Sequence, residues 1–336
     1  MIPRIQDPEH RPLWQLQLAR AVRSTDELLR LLEIDPARLR IQPLASDFPL
    51  RVPRGFVDRM AKGDIHDPLL RQVLPVNEET LQVEGFIPDP LQELAAMPSP
   101  GLLHKYRGRA LLTVTGACAV HCRYCFRRHF PYQDANPASE HWEQSIDYLA
   151  RHPDIHEIIL SGGDPLSLAD HRLQVLTDRL SGLPQLRTLR IHSRLPVVVP
   201  ERIDTGLLAW ISQQRLKVVM VVHCNHPNEI DSSVHTAMQL LARAGVTLLN
   251  QSVLLRGIND DANTLIRLSE TLFAAGILPY YLHRLDRVQG TAHFEVDAER
   301  ACALISAVHA ALPGYLVPRL VEEIPGNPGK TPVCPH

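Results

Sequence analysis

The spacing of apolar residues changes near residue 110. From Leu111 onward, short apolar runs alternate with segments of helical period. Near-continuous apolar strands, each followed by a helix, are typical of a parallel sheet covered by helices. The predicted strands are residues 111–115, 155–160, 187–192, 216–222, 246–254 and 279–283, and the predicted helices lie near 139–151, 169–181, 201–214, 230–244, 262–275 and 297–311.

Six such units predict an α/β barrel or part of one. Periodicity alone does not separate a barrel from a doubly wound sheet. The preceding residues, 1 to about 100, contain only short amphipathic pieces separated by prolines and loops, with Leu29, Leu32 and Ile34 on one apolar stripe. We interpret this region as a helical brace that packs against the rest of the chain and carries no visible chemistry.

Polar and reactive residues interrupt the pattern where the predicted strands end. Three cysteines follow the first strand, the segment 161–165 (SGGDP) follows the second, and His192-Ser193-Arg194 follows the third. Similar groups stand at the ends of the last three strands. Because sites in α/β barrels collect at the carboxyl ends of the strands, we expect these residues to share one rim.

Composition excludes several classes of function. The 336 residues carry a net charge of −2, which gives no electrostatic case for binding nucleic acid or an anionic membrane. No apolar stretch is long enough to cross a bilayer, and the first residues lack the apolar core of a signal peptide. Cys224, Cys302 and Cys334 are scattered and show no secretory disulfide pattern, so we predict a cytoplasmic protein.

The remaining cysteines are close together. Residues 116–132 (GACAVHCRYCFRRHFPY) contain Cys118, Cys122 and Cys125 in the spacing C-x3-C-x2-C, which can close on one metal centre without distant ligands. Structural zinc usually needs four ligands, often as two short Cys/His pairs, and no second pair is near in sequence, although His121 and His129 could complete such a site. A redox C-x-x-C would leave Cys118 unused. The loop resembles that of radical S-adenosylmethionine (SAM) enzymes, in which three cysteines hold a [4Fe–4S] cluster and leave one iron open for SAM.

Two glycine-containing segments need a separate interpretation. The turn Ser161-Gly162-Gly163-Asp164 resembles the turn with which radical SAM enzymes bind SAM, although alone it also fits an ordinary turn with Asp164 as a helix cap. Near the C-terminus, Lys330 lies in a Gly/Pro-rich loop. Ile324 stands where a phosphate-binding loop requires glycine, so that interpretation fails. A lysine held in such a loop suits a Schiff base with an aldehyde cofactor, whereas taken alone it suits an exposed tail.

These motifs occur in the order seen in lysine 2,3-aminomutases, and the similarity covers most of residues 103–333. The strings 101–106 (GLLHKY) and 125–132 (CFRRHFPY) are most similar to the branch that makes (R)-β-lysine for elongation factor P. The resemblance implies an α/β fold: a radical SAM (βα)6 partial TIM barrel over 101–312. It follows an N-terminal helical region (1–100) and precedes a C-terminal segment (313–336) that carries the cofactor lysine.

The resemblance also implies an activity and a role for each site residue. The protein would be an isomerase that converts L-lysine to (R)-β-lysine. Its cofactors would be a [4Fe–4S] cluster, SAM and pyridoxal 5′-phosphate (PLP). It would need a reducing electron donor, and it would be linked to elongation factor P and the lysyl-transferring ligase of that factor. The implied residues are Cys118, Cys122 and Cys125 for the cluster; Ser161, Gly162, Gly163, Asp164 and His223 for SAM; Lys330 as the Schiff-base lysine, with Lys105, Arg109 and Gln251, for PLP; Arg127 for the substrate α-carboxylate; and Asp286 and Glu323 for its distal ammonium.

Other interpretations stay open. Arg127 fits a surface cation, Asp286 a loop cap, and His223 and His226 fit histidines that satisfy local backbone groups. The chain also fits an aminomutase for another amino acid, or a non-catalytic adaptor for the elongation factor. Asp261 stands where long clostridial-type relatives would place a zinc-binding cysteine, so we predict no structural zinc.

Overall fold

A nine-stranded sheet forms the centre of the computed structural model, which describes residues 11–39, 48–132 and 142–334. The strands lie side by side in chain order. Those from the second to the eighth are parallel, and one antiparallel strand adds to each end. The strands are β1 (Leu102–Tyr106), β2 (Arg109–Thr115), β3 (Glu157–Gly162), β4 (Thr188–Ser193), β5 (Lys217–Val222), β6 (Thr247–Val253), β7 (Leu278–His283), β8 (Arg319–Glu322) and β9 (Thr331–Pro332).

This strand order decides between the two sheet types that periodicity left open. A doubly wound sheet reverses its strand order at a switch point, whereas β2 to β8 follow one another without reversal throughout the described residues. The predicted (βα)6 partial barrel is therefore confirmed. Each of the six predicted strands overlaps one of β2 to β7. The parallel strand β8 was not predicted, because four residues are too few to give a periodic signal.

Four described helices precede the sheet, and the seven that follow β2 connect the parallel strands. They are α1 (Leu13–Ala19), α2 (Thr25–Leu31), α3 (Arg54–Val57), α4 (Pro68–Arg71), α5 (Trp142–Ala150), α6 (Asp170–Ser181), α7 (Leu195–Val198), α8 (Thr205–Ser212), α9 (Ser232–Arg243), α10 (Ala262–Ala274) and α11 (Ala298–Ala311). The six helices predicted between and after the strands correspond to α5, α6, α8, α9, α10 and α11. The first residues of the one predicted near 139 lie outside the described residues.

Aspartate caps begin four of these helices. Asp204, Asp231, Asp261 and Asp297 each accept a hydrogen bond from the backbone N–H three residues later, at 2.8 to 2.9 Å. Such caps satisfy backbone donors that the first helical turn leaves unpaired. The local role of Asp261 is thus to begin α10.

The N-terminal region packs on the barrel through one continuous core. Leu28, Phe56 and Leu70 are fully buried and belong to the same apolar cluster as Leu112 and Ile158 of the sheet. The predicted stripe of Leu29, Leu32 and Ile34 is also buried. Residues 1–10 and 40–47 of the predicted brace lie outside the described residues, and the boundaries at 100 and 312 stay predictions.

The C-terminal segment is tied to the barrel at two places. β9 pairs with β8, and Cys334 forms a disulfide with Cys302 of α11, with 5.7 Å between their Cα atoms. The sequence-based view of these two cysteines as scattered is therefore corrected. Their 32-residue separation gave no local signal of a pair. Among the described residues, no helix is long and apolar enough to cross a membrane.

Candidate active site

One cavity of about 490 Å³ opens at the carboxyl ends of the parallel strands. That size is ordinary for a small-molecule site. The structure brings every sequence-predicted site residue to its wall: Lys105, Arg109, Cys118, Cys122, Cys125, Arg127, Ser161, Gly162, Gly163, Asp164, His223, Gln251, Asp286, Glu323 and Lys330. The expected common rim is thus present, and it joins residues from all six βα units and the C-terminal segment.

The three cysteines lie on the loop between β2 and α5, each partly exposed to this cavity. Burial and the neighbouring Cys125 raise the pKa of Cys118 well above its usual value, and burial and Cys122 raise the pKa of Cys125 to about 11. Three thiolates held this close need a positive centre to stay ionised. The donor set therefore fits a cationic iron–sulfur cluster.

No three His, Cys, Asp or Glu side chains among residues 11–39, 48–132 and 142–334 converge well enough to hold a single metal ion. Three cysteines that each bind a different iron of a cluster do not have to converge on one point. The lack of a single-ion site among these residues therefore does not count against a cluster.

Arg194 lies directly beside this loop, although sequence reasoning gave it no role. Its Nη1 donates to Cys122 Sγ at 2.7 Å and to Tyr124 Oη at 2.6 Å, and its Nη2 donates to Glu229 at 2.9 Å and to Gln72 at 2.7 Å. The guanidinium is nearly fully buried. A fixed cation thus lies against the sulfur of Cys122, and the position of Arg194 at the end of β4 was the available signal.

The N-terminal region contacts the other side of the cysteine loop. Glu79 is buried and pairs with both Arg123 and Arg128, which stand on either side of Cys125 in sequence. Arg128 Nη2 donates to the Glu79 carboxylate at 2.7 Å. Glu79, which no sequence motif marked, therefore holds the backbone on both sides of Cys125 in place.

The turn after β3 packs against the cysteine loop. Gly162 has φ +120°, and a Cβ there would lie 2.5 Å from Thr115 O. The backbone N–H of Gly163 donates to Thr115 O, and that of Asp164 to Ala117 O, both at 2.7 Å. The glycines are thus required by the close approach of two protein loops, in addition to any ligand.

Asp164 is fully engaged by the protein. Its carboxylate accepts hydrogen bonds from Leu166 N at 3.0 Å, Ser193 Oγ at 2.7 Å, Arg194 N at 2.8 Å and Leu195 N at 3.0 Å. The helix-cap interpretation describes these contacts, because the carboxylate accepts from backbone N–H groups at the start of a short 3-10 turn and at the start of α7. It also holds the end of β4 next to the cysteine loop.

Arg127 is buried, so the surface-cation interpretation is wrong. Its Nε and Nη2 donate to Glu93 at 2.7 and 2.9 Å, its Nη1 donates to Ser161 Oγ at 3.0 Å, and its guanidinium carbon lies 4.9 Å from the centre of the Phe126 ring. Burial would lower the pKa of Arg127, but the charge of Glu93 outweighs it and the pKa is raised. Arg127 is thus a fixed cation inside the cavity.

At the Lys330 side of the cavity, two carboxylates are in different states. Glu323 contacts Lys330 and accepts from Lys105 Nζ at 2.8 Å, and although burial opposes it, the charges of these lysines lower the pKa of Glu323 to about 2. The Asp286 carboxylate accepts no hydrogen bond from the part of the chain that the structure describes. Burial, reinforced by Glu323, raises the pKa of Asp286 to about 7.

The remaining predicted cofactor residues line the same cavity as Lys330. Arg109, at the start of β2, places its guanidinium carbon 4.5 Å from the centre of the Tyr106 ring, and Gln251 lies on β6. The basic groups Lys105 and Arg109, the Tyr106 ring and a lysine amine together fit a phosphorylated aromatic aldehyde such as PLP.

Three histidines also line the cavity, of which His283 is buried and His192 and His223 are partly buried. His192, His223 and His283 each have an Nε2 atom without a hydrogen-bond partner among the described residues. Burial lowers the pKa of each, that of His223 to about 4, so all are neutral near pH 7. His226 lies outside the cavity wall, and its Nδ1 accepts from Asn228 N at 3.2 Å, as the local-backbone interpretation expects.

Comparisons with known proteins agree with this chemistry. Residues 107–186 match a family model described as a 4Fe-4S single cluster domain. The chain is 51% identical to an L-lysine 2,3-aminomutase of Escherichia coli (strain K12), over 95% of this chain and 94% of that one. An L-lysine 2,3-aminomutase of Haemophilus influenzae is 52% identical over 84% of each chain, and one of Clostridium subterminale is 34% identical over 96% of this chain and 78% of its own.

A solved structure of a radical SAM methyltransferase from Sphaerobacter thermophilus has a TM-score of 0.47 at 16% identity. It covers 66% of this chain and 68% of its own.

Proposed function

The chain belongs to the L-lysine 2,3-aminomutase family, and from that premise we propose that it converts L-lysine to (R)-β-lysine. It is an isomerase with radical SAM chemistry. We propose further that it works in the cytoplasm with a reducing electron donor, and that its product is attached to elongation factor P by a lysyl-transferring ligase. The strings 101–106 and 125–132 support this branch of the family.

One observation carries the choice of substrate. Arg127, a buried cation, and Asp286, a carboxylate that has no partner in the described part of the chain, line the same cavity. L-lysine offers the two complementary charges, an α-carboxylate and a distal ammonium. An aminomutase for a neutral amino acid would leave the partly buried Asp286 without a partner, which disfavours that alternative because an unpaired, desolvated carboxylate is destabilising.

We assign the cofactors to residues whose chemistry fits them. Cys118, Cys122 and Cys125 would hold the cluster, the turn 161–164 and His223 would lie at SAM, and Lys330 would carry PLP, with Lys105, Arg109 and Gln251 nearby. When bound there, cluster and SAM supply a carbon-centred radical, and PLP supplies a π-system across which an amino group can migrate.

The protein's own groups then bind, orient and enclose the substrate. Arg127 would bind the α-carboxylate through its planar donors, and Asp286 with Glu323 would receive the distal ammonium. Both ends of lysine would thus be fixed, which holds the reacting carbon in one place relative to the radical source. Once cofactors and substrate fill the cavity, its wall would keep out bulk water, which protects a reactive radical from side reactions.

The decisive test is turnover by reconstituted protein. Anaerobic protein supplied with iron, sulfide, PLP, SAM, dithionite and L-lysine should form β-lysine without stoichiometric loss of SAM. Lys330→Ala should form none, and borohydride should fix PLP to Lys330 in the wild-type chain alone. An unreduced preparation that leaves L-lysine unchanged would refute the proposal, provided that it has full cluster absorbance and that borohydride fixes PLP in a parallel sample of it.

The link to elongation factor P needs a separate experiment in cells. Elongation factor P should gain the mass of one lysyl group when the wild-type chain is present together with the ligase. With Lys330→Ala the modification should fall to the level of cells without the chain. Equal modification in both would reject the link, and it would leave the aminomutase activity untouched.

A further inference from the structure

Glu93 occupies the centre of the site, although no sequence motif contains it. It precedes β1 in a short 3-10 turn region and is 4% exposed. Its Oε2 accepts from Arg127 Nε at 2.7 Å and its Oε1 from Arg127 Nη2 at 2.9 Å. The same Oε1 accepts from Lys105 Nζ at 3.3 Å. One carboxylate therefore orients two cations that the proposed function assigns to substrate and cofactor.

The contacts leave Arg127 a defined remaining capacity. A guanidinium has five N–H groups. Glu93 takes those of Nε and one of Nη2, and Ser161 Oγ takes one of Nη1 at 3.0 Å. Within the described part of the chain, one N–H of Nη1 and one of Nη2 are left for a ligand. These two donors are enough for a second carboxylate, and Glu93 determines which way they point.

Glu93 also connects the two sides of the cavity. Arg127, Glu93, Lys105, Glu323 and Lys330 form a continuous series of alternating charge. Burial alone would raise the pKa of Glu93, but Arg127 and Lys105 outweigh it, so the pKa is lowered and the side chain is ionised at neutral pH. Without this charge, Arg127 would lose its carboxylate partner among the described residues, and Lys105 would keep only Glu323.

We propose that Glu93 is a positioning residue for lysine binding. It fixes the guanidinium plane of Arg127 so that the two remaining donors meet the substrate α-carboxylate. The inference rests on the proposed function, in which Arg127 receives that carboxylate. Glu93 itself touches no reacting atom, and its effect should therefore fall selectively on ligands that carry a carboxylate.

The test compares L-lysine with 1,5-diaminopentane, which has the same two amines and no carboxylate. Binding is measured by calorimetry on the reconstituted holoenzyme without dithionite, so that no turnover occurs. Glu93→Gln removes the charge and one fork acceptor, and it should weaken lysine binding by roughly tenfold or more. Its affinity for 1,5-diaminopentane should stay within about twofold of wild type, since neither amine needs Arg127.

Two further variants complete the design. Glu84→Gln neutralises an exposed carboxylate of the same segment and should leave both affinities unchanged. Glu93→Asp keeps the charge but shortens the reach, and it should give a smaller loss that is again confined to lysine. It also carries the test if Glu93→Gln does not fold. Equal weakening of both ligands, unchanged lysine binding, or tighter lysine binding would each overturn the positioning role.

Failure of this inference is distinguishable from failure of the proposed function. Absence of β-lysine formation by wild-type protein rejects the function whatever the Glu93 variants do. A wild-type enzyme that makes β-lysine while Glu93→Gln binds lysine normally rejects the positioning role alone. In the turnover assay, the expected signature is a raised KM for lysine in Glu93→Gln with a smaller change in kcat.

Discussion

Replacing Asp286 with asparagine should stabilise the ligand-free protein and weaken lysine binding at the same time. Its carboxylate accepts no hydrogen bond from the described residues, and burial with Glu323 and Glu93 nearby raises its pKa to about 7. The folded protein therefore stabilises this ionised carboxylate less than water does, because the charges of Lys330 and Lys105 offset burial only in part. Asparagine removes the charge at nearly unchanged volume.

The size of the effect follows from the pKa. The difference between about 7 and the usual 3.8, at roughly 1.4 kcal/mol per pH unit, corresponds to about 4 kcal/mol at pH 8. We take this as an upper bound, because the cavity admits water. Between pH 4 and pH 7 the folded state binds more protons than the unfolded state, so the free energy of unfolding falls as pH rises. Asp286→Asn has no carboxyl at this position, so this contribution to the fall in the free energy of unfolding should be absent.

The assay is denaturant unfolding of cofactor-free protein at pH 5.5 and pH 8. Asp286→Asn should be more stable than wild type at pH 8, and its advantage should shrink by about 2 kcal/mol at pH 5.5. The lowered pKa of Glu323 acts only below its usual value of 4.5 and leaves this window unaffected. Asp154→Asn, an exposed control, should change neither value by more than about 0.5 kcal/mol.

Binding completes the argument. A lysine ammonium paired with Asp286 should lower the pKa of that carboxyl, so wild-type protein should release about half a proton per lysine bound at pH 7. Calorimetry in buffers of different ionisation enthalpy measures that number. Asp286→Asn should release fewer protons and bind lysine at least roughly tenfold more weakly. An equally stable variant with intact lysine affinity would refute the reasoning.

Two other changes test the scaffold around the site. Glu79→Gln leaves two buried arginines unpaired and should cost about 3–5 kcal/mol and reduce iron loading, measured by unfolding and iron content. The exposed Glu143→Gln should cost under about 1 kcal/mol. Equal losses of stability in the two variants would contradict the role of Glu79 in holding the cysteine loop. Cys302→Ser opens a 32-residue loop and should lower stability by roughly 3–4 kcal/mol only without reductant. If reductant does not change the melting temperature of the wild-type protein, the disulfide between Cys302 and Cys334 is contradicted. Such disulfides are uncommon in the proposed cytoplasmic location.

Much of the fold was predictable because the central strands are long enough to show a pattern. β2 to β7 are apolar runs of six or seven residues, each followed by a helix, and the sequence predicts each one. β1, β8 and β9 have five, four and two residues and lack that signal. The choice between a barrel and a doubly wound sheet depends on strand order, which is a property of the whole chain.

The candidate site divides in a similar way. Residues inside short motifs, such as Cys125 and Arg127, could be found because their neighbours in sequence mark them. Glu93 and Glu79 could not be found in this way, because the arginines that they pair with are 34 and 44 residues away in sequence. A buried carboxylate shows its role only when the cation that it serves is known, and no local pattern contains that information.

The two acidic groups that would receive the substrate ammonium become available in different ways. Asp286 is unpaired among the described residues, whereas Glu323 is held by Lys330 and Lys105. The contact with Lys330 depends on a free, charged lysine amine, and that amine is the group that the proposed function commits to PLP. We infer that engagement of Lys330 with its cofactor releases one face of Glu323 toward the cavity. The same step that readies the cofactor would then complete the pair of carboxylates for a cationic side chain.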